Sequence, residues 1–242
     1  MKLLMDLIGK LLNKSSNIQH PHPLLVINDP KGIVVAKRLA VDDLKRYMYE
    51  ENDFPGLSPY CHFTLEKVPN LEFRTRTKKD IVWTYDGFYV VSERFRRFCD
   101  EQGFKDLTFI PLRKSPGHYY FEPAMRFPID YVNTIFEHEG EPCPKCGNYK
   151  WFGGPHRIYS ERLFEEDDNF ICRTPEYFGD RDRKFFLIIV GLKTYRLMKE
   201  YGFSCGNNPL YDVHYLNNNE PSSKNGLSKD GDHGVGEGDH SK

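Results

Sequence analysis

The chain has 242 residues, 39% hydrophobic and 14% aromatic, with 34 basic against 35 acidic side chains and a formal net charge of −1. A chain of this length can hold one large domain or two modest ones around a real core, and Phe and Tyr bury much area per residue. The neutral balance lacks the basic field of a protein living on phosphate backbones, and no run approaches the ~18 apolar residues that span a bilayer. Six scattered cysteines do not form the dense framework of a small secreted protein, so they read as reduced thiols in a cytoplasm.

Residues 1–12 place apolar side chains at helical spacing, with Asp6 and Lys10 interrupting them, which predicts an amphipathic helix rather than a signal peptide. Residues 14–23 carry Pro21 and Pro23 in a polar stretch and read as a linker. Leu24–Ile27, a turn at 28–32 and a return over 33–37 predict a hairpin. A helix is expected over Val41–Met48, where acids precede bases, and a strand over 60–66.

Residues 81–91 run apolar into Phe88-Tyr89-Val90-Val91, a buried strand. Ser92 suits the cap of a following helix that puts Phe95, Phe98 and Cys99 on one face, and Gly103 suits its left-handed end. Leu107–Leu112 is the next strand. The pattern returns in Phe185–Val190, Gly191, a helix through Tyr195, Leu197 and Met198, and Gly202. Laying Phe88–Phe104 on Leu187–Phe203 gives five identities in seventeen positions: Val91/Val190, Arg97/Arg196, Glu101/Glu200, Gly103/Gly202 and Phe104/Phe203. Pro111-Leu112 and Pro209-Leu210 recur downstream of each helix. The fold class expected is α+β, with two related strand–helix–strand units (about 81–112 and 185–213) in a mixed sheet. The domains expected are an N-terminal helix and linker (1–23), an α+β domain with the internal repeat (24–216), and a disordered tail (217–242) too polar to offset its chain entropy.

Between the units lies Pro142-Cys143-Pro144-Lys145-Cys146-Gly147. A Cys-x-x-Cys-Gly turn converges two sulfurs on one point, lets backbone N–H groups donate to them, and uses glycine for a φ > 0 step. Gly153, Gly154 and Pro155 follow where a redox motif would open a helix, so zinc is preferred to redox chemistry. Candidates for the remaining ligands are Cys172, Cys205, His138, His156 and the Cys61-His62 pair. Motifs of hydrolases, phosphate-binding loops and metalloproteases do not occur, which points away from an enzyme.

With repeat and knuckle in view, the chain resembles the double-CXXCG-motif proteins of bacteria, many of them myxobacterial. Glu141–Gly147 followed by Leu187–Val190 and a Gly-ended helix is similar to that family's C-terminal half. Tyr89–Phe95 through Phe109–Leu112 resembles the unit before its second knuckle, so the match spans roughly 81–213. The first Cys-x-x-Cys-Gly is missing, and Gly56-Leu57-Ser58-Pro59-Tyr60-Cys61-His62 stands about where it belongs. Some members are immunity proteins, so the resemblance implies a non-catalytic binder of a cognate toxin. Tyr149, Trp151, Phe152, Tyr159 and the acidic run Glu165, Glu166, Asp167 and Asp168 are the expected contact region. The alternative is a zinc-knuckle protein meeting nucleic acid through Lys145, Lys150, Trp151, Phe152 and Arg157.

Overall fold

The computed structural model describes residues 32–49, 55–181, 183–205 and 211–217. The expected N-terminal helix and linker, the stretch 24–27, Pro209-Leu210 and the tail beyond 217 lie outside these residues. The fold has both strands and helices, mostly strands, in three sheets. Among the described residues, no helix is long and apolar enough to cross a membrane.

One five-stranded sheet runs β2 (Asp42–Asp43), β3 (Ile81–Trp83), β4 (Tyr89–Ser92), β6 (His118–Pro123), β5 (Leu107–Pro111). The other runs β10 (Ile171–Arg173), β12 (Ile188–Gly191), β1 (Ile33–Arg38), β13 (Asp212–Tyr215), β9 (Ile158–Ser160). The third, smaller sheet is β11 (Gly179–Asp180), β8 (Trp151–Gly153), β7 (Glu137–Glu139). The two sequence-related units thus lie in separate sheets, each with antiparallel and parallel pairs. Their connections match. Helix α1 (Glu93–Glu101) leads from β4 to β5 with β6 between them, and α2 (Leu192–Glu200) leads from β12 to β13 with β1 between them. The middle strand follows β5 directly in the first sheet but comes from the N-terminal side of the chain in the second.

The residues paired in sequence stand at matching places. Ser92 caps α1 by accepting from the Phe95 N–H at 3.2 Å. Gly191 caps α2 without a side chain, because a Cβ there would lie 2.3 Å from the Asp168 carbonyl oxygen. Both helices end in the same two bonds. Gly103 donates to Asp100 and Phe104 to Cys99, while Gly202 donates to Lys199 and Phe203 to Met198. Gly103 and Gly202 take φ of 70° and 76°, the left-handed step of a Schellman end.

Strand alternation sorts the core. Tyr89 and Val91 face one central cluster with Ile188 and Val190, joined there by Phe95, Phe98, Met198 and Phe203 from the helices and their ends. Val90 points the other way, into a cluster with Met48, Val82 and Tyr120, and Ile189 into one with Val35, Cys172 and Val213. Both sheets therefore bury both faces. Edge-to-face rings at Phe95–Phe121 and Phe95–Phe203 fill the central layer, and the Tyr89 hydroxyl crosses it to donate to the Phe186 carbonyl at 2.6 Å.

Two expectations are corrected. Val41–Met48 forms no helix. The Asp43 carboxylate takes the Lys45 N–H at 2.6 Å, Lys45 turns to φ 54°, and Met48 and Tyr49 donate to buried Asp86. Residues 60–66 form no strand but a turn closed by a single bridge between Leu57 and Thr64. Strand β1, the expected return strand of the hairpin, pairs with β12 on one side and β13 on the other, and the partner strand expected at 24–27 lies outside the described residues.

Candidate metal centre

Cys143 and Cys146 sit on the loop between β7 and β8, and Cys61 on the loop joining β2 to β3. The fold brings the three together: their sulfurs lie within 4.8 Å of one another, and Cys61 Sγ is 3.3 Å from Cys146 Sγ. All six cysteines are free. A tetrahedral zinc with Zn–S near 2.3 Å would space its sulfurs about 3.8 Å apart. One pair at 3.3 Å and the others no more than 4.8 Å apart are compatible with that value, so the donor set fits a thiophilic divalent ion.

Local sequence explains the turn. The Cys143 N–H donates to the Asn148 carbonyl at 2.8 Å, and the Gly147 N–H returns to the Cys143 carbonyl at 2.7 Å, with Gly147 at φ 73°. Backbone N–H groups of Cys146 and then Lys145 point at the Cys143 sulfur and hold its pKa down at about 7. Cys146 is pushed up to about 11 by burial, against the opposing Asn148 N–H. A metal would replace both thiol protons, and the N–H groups already present would stabilise the thiolates.

Lys184, only 1% exposed, stands beside this cluster and donates to the Tyr149 carbonyl at 2.7 Å. Burial pulls its pKa down, while the charges of Cys146, Asp180 and Cys61 oppose that pull. Sequence reasoning missed it, because within Asp180-Arg181-Asp182-Arg183-Lys184 it reads as one more surface charge.

The other ligand candidates lie elsewhere. Cys172 and Cys205 are buried in separate apolar clusters, which pushes their thiols up to about 12 and about 11. His62 is exposed and outside the sulfur cluster despite following Cys61. His138 stacks on Tyr149 at 4.3 Å, and His156 faces Glu137 at 3.6 Å.

The small sheet carries two of the eight expected contact residues, Trp151 and Phe152, with Tyr149 just before β8. Its register puts His138 opposite Phe152, on a face whose rings stack through Tyr149, Phe152, Phe136 and Phe178. Trp151 lies on the other face, directly across from Glu139 on β7 and Asp180 on β11, with Glu137 two residues along. Its indole covers Gly153, where a Cβ would come within 2.6 Å of the ring. Tyr159 is corrected: it is 5% exposed within β9, its backbone N–H taken by Thr134, and presents no contact surface. The acidic run lies in the loop before β10, with Glu166 paired to Arg196 of α2 and Asp168 accepting from the Glu165 N–H. Of the basic side chains near the knuckle, Lys150 pairs with Glu139 at 3.0 Å and Lys145 lies over the Tyr60 ring. No protein-family model and no curated protein matches the chain.

Proposed function

We propose that this is a non-catalytic binding protein, an immunity protein that neutralises a cognate bacterial toxin by direct contact. A zinc ion on Cys61, Cys143 and Cys146 would serve it as a structural staple. The observation that carries the reading is the outer face of the small sheet. Three exposed carboxylates, Glu137, Glu139 and Asp180, surround half-exposed Trp151 on strands whose connecting loop carries the knuckle. A central indole ringed by acids is suited to anchor a basic protein surface, the indole supplying affinity and the carboxylates steering and register. Val132 and Ile135, 82% and 65% exposed on the segment entering β7, add apolar area close by. The family resemblance supplies the class of partner.

The test is co-purification of the full chain with the product of its neighbouring gene, together with growth rescue of cells expressing that product. Stoichiometric capture and rescue are expected, both lost in Trp151→Ala, since truncating a central anchor costs about 2 kcal/mol or more, roughly thirtyfold in affinity. A neighbour that neither binds nor harms cells overturns the reading. Salt-sensitive binding to generic DNA or RNA would instead favour the nucleic-acid alternative.

A further inference from the structure

Three thiolates leave a tetrahedral ion one corner short. That corner can be sought in the chain segment that supplies Cys61. The turn Ser58-Pro59-Tyr60-Cys61-His62-Phe63 repeats the bonding of Cys143-Pro144-Lys145-Cys146-Gly147-Asn148. In each, the first N–H donates to the sixth carbonyl at 2.8 Å, Ser58 to Phe63 and Cys143 to Asn148. In each, the fifth N–H returns to the first carbonyl, His62 to Ser58 at 2.9 Å and Gly147 to Cys143 at 2.7 Å. The fifth residue is left-handed in both, His62 at φ 57° and Gly147 at φ 73°. Proline is second and cysteine fourth in both.

The two turns also meet like with like. The fourth residues touch through Cys61 and Cys146 at 3.3 Å, and the third residues meet where the Lys145 ammonium lies 4.1 Å from the Tyr60 ring centroid. Contact between equivalent positions is the signature of a local two-fold relation. Under that relation the partner of Cys143 is Ser58. Its side chain is held in the corresponding way: the Tyr60 N–H, two residues on, donates to Ser58 Oγ at 3.3 Å, as the Lys145 N–H points at the Cys143 sulfur. Ser58 is 1% exposed, so its hydroxyl is turned inward rather than spent on solvent.

We infer that Ser58–Phe63 is the second knuckle of a two-knuckle metal centre, in which the Ser58 hydroxyl takes the corner that a fourth cysteine would occupy. The inference rests on the three-thiolate reading above. On binding, each of the three thiols gives its proton to solvent, while the serine oxygen donates a lone pair as a neutral ligand. A divalent ion on three thiolates and one hydroxyl carries one net negative charge. The buried ammonium of Lys184 beside the cluster answers it, whereas a four-cysteine site would leave a second charge for it to answer.

The experiment is anaerobic titration of the reduced full chain with cobalt(II), then displacement by zinc, comparing wild type with Ser58→Cys, Ser58→Ala and Cys146→Ser. Wild type is expected to take one equivalent with sulfur-to-cobalt charge-transfer absorbance. Ser58→Cys should raise that absorbance by about a third, four thiolates in place of three, and tighten zinc at least tenfold. Ser58→Ala should weaken zinc several-fold with an unchanged sulfur band. A Ser58→Cys protein that binds cobalt with an unchanged band, or a Ser58→Ala protein of unchanged affinity, overturns the serine corner while leaving three thiolates in place. Wild type that takes no cobalt, or a Cys146→Ser protein whose affinity and sulfur band are unchanged, overturns the three-thiolate reading itself.

Discussion

Replacing His62 by glycine should stabilise the protein, and replacing Gly147 by alanine should destabilise it, because both positions are left-handed at φ 57° and 73°. A Cβ in that region crowds the following carbonyl at a cost of about 1–2 kcal/mol. Glycine's greater freedom in the unfolded chain takes back about 0.5–1 kcal/mol, so each exchange nets roughly 0.5–1 kcal/mol. The His62 ring is exposed, so its removal gives up no buried packing. For a chain of this size 1 kcal/mol moves Tm by about 2–4 °C. Thermal melts in chelator should therefore place His62→Gly about 2 °C above wild type and Gly147→Ala about as far below. With zinc present the gap should widen, because a turn already closed binds the ion without first paying for its own ordering. A His62→Gly protein that melts lower would refute the reasoning, for it would mean that the imidazole contributes more than its backbone strain costs.

Cys172→Ser should lower stability by about 1–3 kcal/mol, by burying a hydroxyl among apolar side chains, and leave metal stoichiometry unchanged in the cobalt assay. In metal-free protein, alkylation of Cys143 should rise through pH 7 as its thiolate forms, while Cys146 stays slow until its pKa of about 11 is approached. Peptide mapping by mass spectrometry reads both sites, and equal rates at neutral pH would contradict the N–H donation to Cys143. Tyr89→Phe should cost about 1–3 kcal/mol in urea denaturation, since it removes the donor to the Phe186 carbonyl between the two large sheets. Gly153→Ala should displace the Trp151 indole it underlies, seen as a red-shifted emission and weaker toxin capture at unchanged far-UV circular dichroism.

How far the chain could be read from its residues follows the range of the forces involved. Ser92, the Phe95/Phe98/Cys99 stripe and Gly103 are local signals, and the helix they predict is there, ended by the bonds such a glycine allows. The knuckle at 143–148 is likewise local. Val41–Met48 misled because charge order along a helix contributes only tenths of a kcal/mol, less than the bonds Asp43 and Asp86 offer a non-helical backbone. What no local pattern carries is which distant segment comes to lie alongside. Strand β1 enters between β12 and β13, and Cys61 joins Cys143 and Cys146 from a turn whose residues read as a strand. Cys172 and Cys205 were chemically as eligible as Cys61. Only tertiary placement, which sinks them in apolar clusters, separates ligand candidates from core.

On the proposed reading, a metal at this position would have a consequence beyond local stability. Cys61 belongs to the connection feeding the first large sheet, while Cys143 and Cys146 belong to the loop of the small sheet whose outer face carries Trp151. Among the described residues the two loops are tied by Asn148 to the Thr64 carbonyl at 3.3 Å and by Lys145 over the Tyr60 ring, while Arg181 beyond β11 links them indirectly, its carbonyl taking the Thr64 N–H at 3.0 Å and its N–H donating to the Lys150 carbonyl at 2.7 Å. Each such bond contributes about 0.5–1.5 kcal/mol net and can be exchanged for water. An ion shared by three sulfurs is not exchanged so cheaply, since apparent binding free energies of structural zinc reach about 10–16 kcal/mol. Metal on these thiolates would therefore add a tie between the small sheet and the body stronger than any of these bonds. An anchor such as Trp151 binds well only when its position is settled before the partner arrives. On the proposed reading the knuckle and the Trp151 face would be one device, with the ion adding preorganisation to a sheet of such short strands.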